Sequence, residues 1–264
     1  MEVRKIKIEL GLEKPVNVAH FTDVHISMAD ERDEHLIKHA EARADVFYRE
    51  AEKPDKTPSE FLKEALEYAD ENCDLSVITG DMIDFISEKN LEEAKSILDG
   101  HKYMFTAGNH EFCPQVGISD SFARKLDEFC RIQSYFDGNM YFESQIINGV
   151  NFVTVDNSYY NYCAPQIKAL EKEIEKGLPI IIFSHVPLTE KMLNLVYHHK
   201  DLVPDKYMME QTKKMLELIN GCDLIKAEFS GHWHVEVDTT TDGGIPEYVT
   251  PGLFKGKMTH IEIV

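Results

Sequence analysis

Five times along this chain a short apolar run stops at a polar cluster holding Asp, Asn or His. Residues 16–21 run into Thr22-Asp23-Val24-His25, residues 75–79 into Gly80-Asp81, and residues 102–106 lead to Gly108-Asn109-His110-Glu111. Residues 180–183 end at Ser184-His185, and residues 225–229 lead to Gly231-His232-Trp233-His234. Short apolar runs bounded by turn-forming residues predict buried strands. In open α/β sheets the loops at the carboxyl ends of strands converge on one ligand site, so five such loops can bring these side chains to one point. Side chains two apart on an extended chain share a face but stand roughly 7 Å from each other, so Asp-x-His and His-x-His need a bend before both side chains reach a common ligand. The donor set mixes imidazole, carboxylate and amide oxygen, which suits borderline divalent ions such as Zn, Mn or Fe and not Ca.

The segments between the clusters read as alternating helices and strands. Residues 3–10 alternate as a half-buried strand, and residues 30–52 are highly charged, with Leu36, His39, Ala40, Ala44 and Phe47 at helical spacing. A helix with one solvated face is the expectation there. Ser59 is placed to cap a helix over 60–71, whose Phe61, Leu62, Ala65, Leu66 and Ala69 form an apolar stripe. Further helices are expected over 90–98, 119–136, 165–176 and 205–220. Asn148-Gly149 marks a hairpin between 141–147 and 150–155. Gly243-Gly244 turns between the last strands, which close over 257–263. No repeat, low-complexity tract or linker divides the chain. The expectation is one domain over 1–264, with a charged helical insertion at about 28–58.

Composition narrows the partners. The 264 residues hold 28 Lys+Arg and 47 Asp+Glu, a formal net charge of −19. Nucleic acid and anionic lipid both dock on basic surfaces, so this balance argues against either partner. The 43% hydrophobic and 28% charged content is that of a soluble globular protein. No apolar run approaches the ~18 residues of a membrane span, and the amino terminus has no signal-peptide core. Five cysteines without C-x-x-C spacing fit thiols in a reducing cytoplasm, which is the expected location.

Taken in order, Asp23-Val24-His25, Gly80-Asp81-Met82-Ile83-Asp84, Gly108-Asn109-His110-Glu111, His185 and Gly231-His232-Trp233-His234 resemble the calcineurin-like metallophosphoesterase superfamily. The blocks span about four-fifths of the chain. Each alone is a weak signal, and their shared order is the specific one. The resemblance implies an α/β (α+β) fold, a four-layer αββα sandwich of two mixed β-sheets flanked by helices. It implies two divalent metal ions, with Mn, Fe, Zn and Ni all admissible. Asp23, His25 and His234 would bind one, Asn109, His185 and His232 the other, and Asp81 would bridge them. The implied activity is hydrolysis of a phosphomonoester or phosphodiester of a small or nucleotide-like substrate by a metal-bridging hydroxide. By the same resemblance His110 is a general acid near the leaving oxygen rather than a ligand. Asp84 is placed to accept its hydrogen bond and raise its pKa.

Two departures narrow the resemblance. Phe85-Ile86 follow Asp84 where protein Ser/Thr phosphatases carry a phosphate-holding Arg-Gly, which argues against that role. Asp84 stands where purple acid phosphatases place a ligand Tyr, so no tyrosinate iron site is expected. A nuclease on the same fold and a non-catalytic scaffold are the alternatives. The first is opposed by the net charge, the second by retention of all seven ligand positions and His110. Outside the motifs, His20 reads as a satisfied sheet residue, and His35, His39, His101 and His260 as surface. His198-His199 read as a loop pair, and Glu111 either orients a ligand loop or faces water. Tyr159, Tyr160 and Tyr162 either stack a substrate ring at the mouth or pack on a neighbouring loop. Oligomeric state has no signature in the sequence.

Overall fold

The computed structural model describes residues 1–52, 54–118, 121–188 and 206–264, without the side chains of 206–208. His198-His199 lie outside these residues. The strands are β1 (Glu2–Ile8), β2 (Val16–Phe21), β3 (Leu75–Thr79), β4 (Met104–Thr106), β5 (Phe142–Ile147), β6 (Val150–Val155), β7 (Ile180–Phe183), β8 (Ile225–Ser230), β9 (Val237–Thr240), β10 (Pro246–Val249) and β11 (Lys257–Ile263). The helices among the described residues are α1 (Ile37–Glu50), α2 (Pro58–Asn72), α3 (Glu88–Leu98), α4 (Phe122–Gln133), α5 (Ala164–Ile174) and α6 (Lys206–Asn220).

Two mixed sheets form, in the orders β1-β11-β2-β3-β4 and β5-β6-β7-β8-β10-β9. Strands β2, β3 and β4 are parallel neighbours in the first sheet, and β6, β7, β8 and β10 in the second. The alternation of β2 shows how the layers arise. Val16 and Val18 join Val77, Phe152, Ile181 and Phe229 in a core between the sheets. Ala19 and Phe21 face outward and join the α2 and α3 stripes around Phe61, Leu62, Leu66 and Leu91. A third core places Leu170 of α5 and Met215 and Ile219 of α6 on Val153, Ile180 and Ile182 of the second sheet. Strands with an apolar residue on both faces must be covered on both, which gives the expected αββα sandwich.

Local chemistry sets the element ends. Helix α2 starts at Thr57, not Ser59, because Pro58 sits at its first turn. There Thr57 and Glu60 cap each other reciprocally. The hairpin between β5 and β6 turns on Asn148 and Gly149, both in the left-handed region, as the dipeptide predicts. The segment expected as one helix over 30–52 divides into a 3-10 turn, Glu31–Leu36, and α1. The helix expected over 119–136 is observed as Phe122–Gln133, with 119–120 outside the described residues. Among the described residues no disulfide forms and no helix is long and apolar enough to cross a membrane.

Two histidines show how placement decides burial. His260, expected at the surface, is buried on β11, an interior strand of its sheet, with Tyr68 of α2 packed against it. It hydrogen-bonds Tyr68 Oη at 2.8 Å and Asn17 Oδ1 at 2.9 Å. His20 lies between the sheets against Phe183 and Phe229, with ring nitrogens 2.8 Å from Thr250 Oγ1 and 2.9 Å from Thr79 Oγ1. Burial pushes its pKa down to about 3, against the partial opposition of Asp23. The unfolded ring titrates near 6.5, so between those values the unfolded chain binds the extra proton and stability declines as pH is lowered. A His20→Gln variant removes that uptake. Urea unfolding should show the wild-type advantage over it shrinking by about 1.4 kcal/mol per pH unit from about pH 6 to 4. Parallel pH profiles would contradict a neutral, buried His20.

Candidate metal centre

The five polar clusters sit at the carboxyl ends of β2, β3, β4, β7 and β8, where the two sheets face each other. The backbone there is bent in one particular way. Asp23 (φ 52°), His25 (φ 55°), Asp81 (φ 50°), His232 (φ 69°) and His234 (φ 54°) are all left-handed. Each such residue costs roughly 1–2 kcal/mol for an L-amino acid. The intervening Val24 is buried in the helix-side core while Asp23 and His25 both turn to the centre.

The loops are fastened to each other through backbone. A Cβ on Gly80 (φ +81°) would lie 2.1 Å from the Gly108 nitrogen, and one on Gly108 would lie 2.2 Å from Asp81 Oδ1. Only glycine at both positions lets the β3 and β4 loops touch. Glu111, fully buried, accepts from the backbone N–H groups of Gly108 (2.6 Å), Met82 (2.7 Å) and Asp81 (2.8 Å). It therefore orients both loops, and does not face water. Burial, with Asp81 close by, pushes its pKa up to about 7.

Four imidazoles meet in two pairs. His25 Nε2 and His234 Nε2 face each other at 3.0 Å, and His185 Nε2 and His232 Nδ1 at 3.1 Å. The opposite nitrogen of every ring has a polar partner. His25 Nδ1 contacts Asp84 Oδ1 at 3.2 Å, His234 Nδ1 contacts Glu50 Oε1 at 3.3 Å, and His185 Nδ1 donates to the Thr79 carbonyl at 2.7 Å. His232 Nε2 meets Tyr160 Oη at 2.7 Å, an oxygen able to accept. With a proton held on that side, each ring leaves its other nitrogen aimed at the facing ring and able to offer a lone pair to a bound cation, the arrangement of metal-ligating histidines.

Carboxylate and amide oxygens complete both groups. Asp23 Oδ1 is buried without a hydrogen bond, 3.3 Å from His234 Nε2 and 3.8 Å from His25 Nε2. Asn109 Oδ1 lies 3.2 Å from His185 Nε2. Asp81 stands between the groups, with Oδ2 3.3 Å from His185 Nε2 and 3.7 Å from His25 Nε2. Its Oδ1 accepts from the His110 backbone N–H at 2.8 Å. The sequence-derived candidates Asp23, His25, Asp81, Asn109, His185, His232 and His234 thus lie in one cluster. Its mixed nitrogen and oxygen donors fit borderline divalent cations.

Electrostatics agree with that fit. Burial alone would raise Asp23 and Asp81, yet neighbouring imidazoles hold both well below the usual carboxylate range. Against burial, Asp81 raises His185 to about 9, and Asp23 and Glu50 raise His234 to about 9. His25 and His232 are pushed down by burial, His232 to about 3. Buried carboxylates that draw protons onto neighbouring imidazoles mark a place short of positive charge, which bound cations would supply.

His110 and Asp84 lie beside this cluster. His110 Nδ1 donates to the Asp84 backbone carbonyl at 2.6 Å and lies 3.2 Å from Asp84 Oδ1. Burial lowers the His110 pKa, but Asp81 and Asp84 more than offset it and hold it at about 10. By distance His110 also falls within ligand reach of His25 and Asp81. The main-chain carbonyl is thus a closer partner for His110 than the expected carboxylate. Asp84 also receives a bidentate ion pair from Arg43 of α1, at 2.6 and 2.9 Å.

Sequence reasoning passed over Arg43, Glu50 and Phe47, which reach the site from α1. Arg43 and Glu50 carry no motif, and a charge on an amphipathic helix reads as solvated. Tyr159 and Tyr162 are buried and not at the mouth, because the turn after β6 folds them inward. Only Tyr160 turns to the site, as the partner of His232.

The fold is similar to that of a dimetal phosphatase from Danio rerio, at 13% sequence identity and a TM-score of 0.56. The match covers 92% of this chain and 89% of that one. It is also similar to a purple acid phosphatase from yellow lupin (Lupinus luteus) seeds, at 13% identity and a TM-score of 0.50. There the match covers 94% of this chain but only 44% of the lupin protein. At these identities both likenesses concern the fold. A search of curated protein sequences returned no match. Residues 16–236 match the family model described as calcineurin-like phosphoesterase, a range that holds every candidate ligand. The chain therefore belongs to the calcineurin-like phosphoesterase family, as a metal-dependent hydrolase of phosphoesters.

Proposed function

We propose that the protein is a dinuclear phosphoesterase acting on phosphomonoesters or phosphodiesters of a small or nucleotide-like substrate. The observation that carries this reading is the position of Asp81 Oδ2 within 3.3–3.7 Å of one nitrogen from each imidazole pair. One carboxylate shared by two sets of lone pairs suits two cations a few ångströms apart and has no use in a single-ion site. Asp23, His25 and His234 would hold one ion, and Asn109, His185 and His232 the other, with Asp81 between. When bound, such a pair acidifies a water for in-line attack and neutralises charge on the phosphoryl oxygens.

The chain's own residues do the rest. His110 keeps its Nδ1 on the Asp84 backbone carbonyl, which would leave Nε2 to deliver a proton to the departing oxygen. Glu111 and the paired glycines keep the ligand loops in register through turnover. The net charge of −19 leaves the surface ill suited to a nucleic-acid strand and favours small substrates that the local positive charge of a loaded centre would attract.

Two outcomes are expected. Manganese-reconstituted protein should hydrolyse nitrophenyl phosphate or its bis ester well above a metal–buffer control, lose that activity on exhaustive chelation and regain it on metal addition. Activity that survives chelation would contradict the reading, and the ratio of the two rates separates phosphatase from diesterase. His110→Ala should retain its metal by elemental analysis while kcat falls by about 10²–10⁴. Loss of metal in that variant would instead make His110 a ligand.

A further inference from the structure

Helix α1 touches the centre along one stripe. His39, Arg43, Phe47 and Glu50 are spaced by four, four and three residues, which puts them on one face of a helix. His39 Nε2 accepts from the Val116 backbone N–H at 3.2 Å and fixes one end of the helix. Arg43 holds Asp84, whose Oδ1 in turn lies 3.2 Å from His25 Nδ1. The Phe47 ring stacks on the His25 imidazole, centroids 4.4 Å apart and planes inclined by 21°. The Arg43 guanidinium lies 4.8 Å from the Phe47 centroid. Glu50 Oε1 contacts His234 Nδ1 at 3.3 Å and Lys255 Nζ at 3.1 Å, and Lys255 Nζ also donates to the His234 carbonyl at 3.0 Å.

These contacts are one-sided. Every ligand they reach, His25 and His234, belongs to the group completed by Asp23, and none of them reaches His185 or His232. Apolar packing does not account for how the helix is docked. Only Ala40 and Phe47 of α1 are buried, and the space beside Ala44, Phe47 and Tyr48 is a cavity of about 620 Å³ that also borders Met28 and Phe254. Resting on the dinuclear reading above, we infer that α1 is a positioning element for one of the two metal positions only. Glu50 holds the His234 ring, and Arg43 through Asp84, with Phe47, holds the His25 ring. Carboxylates behind ligating imidazoles set their tautomer and orientation, and removing one typically costs 10–100-fold in metal affinity.

The test is calorimetric titration of metal-stripped protein with Mn²⁺, read as two binding events. Glu50→Ala and Arg43→Met should each weaken the same event by about 10–100-fold and leave the other within about twofold. Glu50→Gln keeps an oxygen able to accept from Nδ1 and should recover part of the loss. Arg49→Ala, which breaks only the exposed pair with Asp45 on the same helix, should match the wild type. Equal weakening of both events, or unchanged affinities in Glu50→Ala, overturns the inference. If wild type takes up two ions and Glu50→Ala is indifferent, only α1's role is lost. A wild type that takes up fewer than two removes the dinuclear reading and this inference with it.

Discussion

A strand sets side chains two residues apart on one face but roughly 7 Å from each other, and this centre needs Asp23 with His25, and His232 with His234, close enough to meet one ion. The left-handed backbone at all four positions resolves that conflict. Such a backbone is unfavourable residue by residue, so it persists only where the surroundings over-determine it. Here the surroundings are parallel strands buried on both faces, loops that touch through Gly80 and Gly108, and a buried Glu111 that ties three backbone N–H groups together. The αββα sandwich is the rigid body against which five strained residues, in the loops after β2, β3 and β8, are held.

That geometry concentrates negative charge where water cannot screen it. Asp23, Asp81 and Asp84 are all buried, and among the described residues Arg43 is the one arginine or lysine that ion-pairs with them, on Asp84 alone. Asp23 and Asp81 meet imidazoles instead, and draw protons onto His185 and His234. A divalent cation satisfies such oxygens and nitrogens together, and each imidazole already has its other nitrogen engaged by Asp84, Glu50, Thr79 or Tyr160. The orienting partners come from three segments, the end of β3 with its loop, α1 and the turn after β6, so the site is not supported by the motif loops alone.

Much of this was legible in the sequence for a physical reason. Loops at the ends of these strands combine a short continuous apolar run with an abrupt polar stop, and both halves of that signal are local. That signal marked the five clusters, the strands that carry them and the Asn148-Gly149 turn, and the family resemblance then singled out Asp23, His25, Asp81, Asn109, His185, His232 and His234 within the clusters. Arg43 and Glu50 were not marked, because each is an ordinary charge on a charged helix until tertiary packing turns its face to the site. Tyr160 differs from its neighbours Tyr159 and Tyr162 only through its left-handed φ of 60°, which no residue pattern announces. His260 looked solvent-facing because its burial comes from α2 lying across β11, a contact distant in sequence.

The central claim is that one carboxylate, Asp81, is shared between two cation positions. Elemental analysis of metal-saturated, desalted protein alongside Asp81→Asn tests it most directly. The account predicts about two equivalents of divalent metal per wild-type chain and a large loss of both in the variant, since a shared ligand supports both positions. A single equivalent in the wild type, or two equivalents retained after Asp81→Asn, would contradict it.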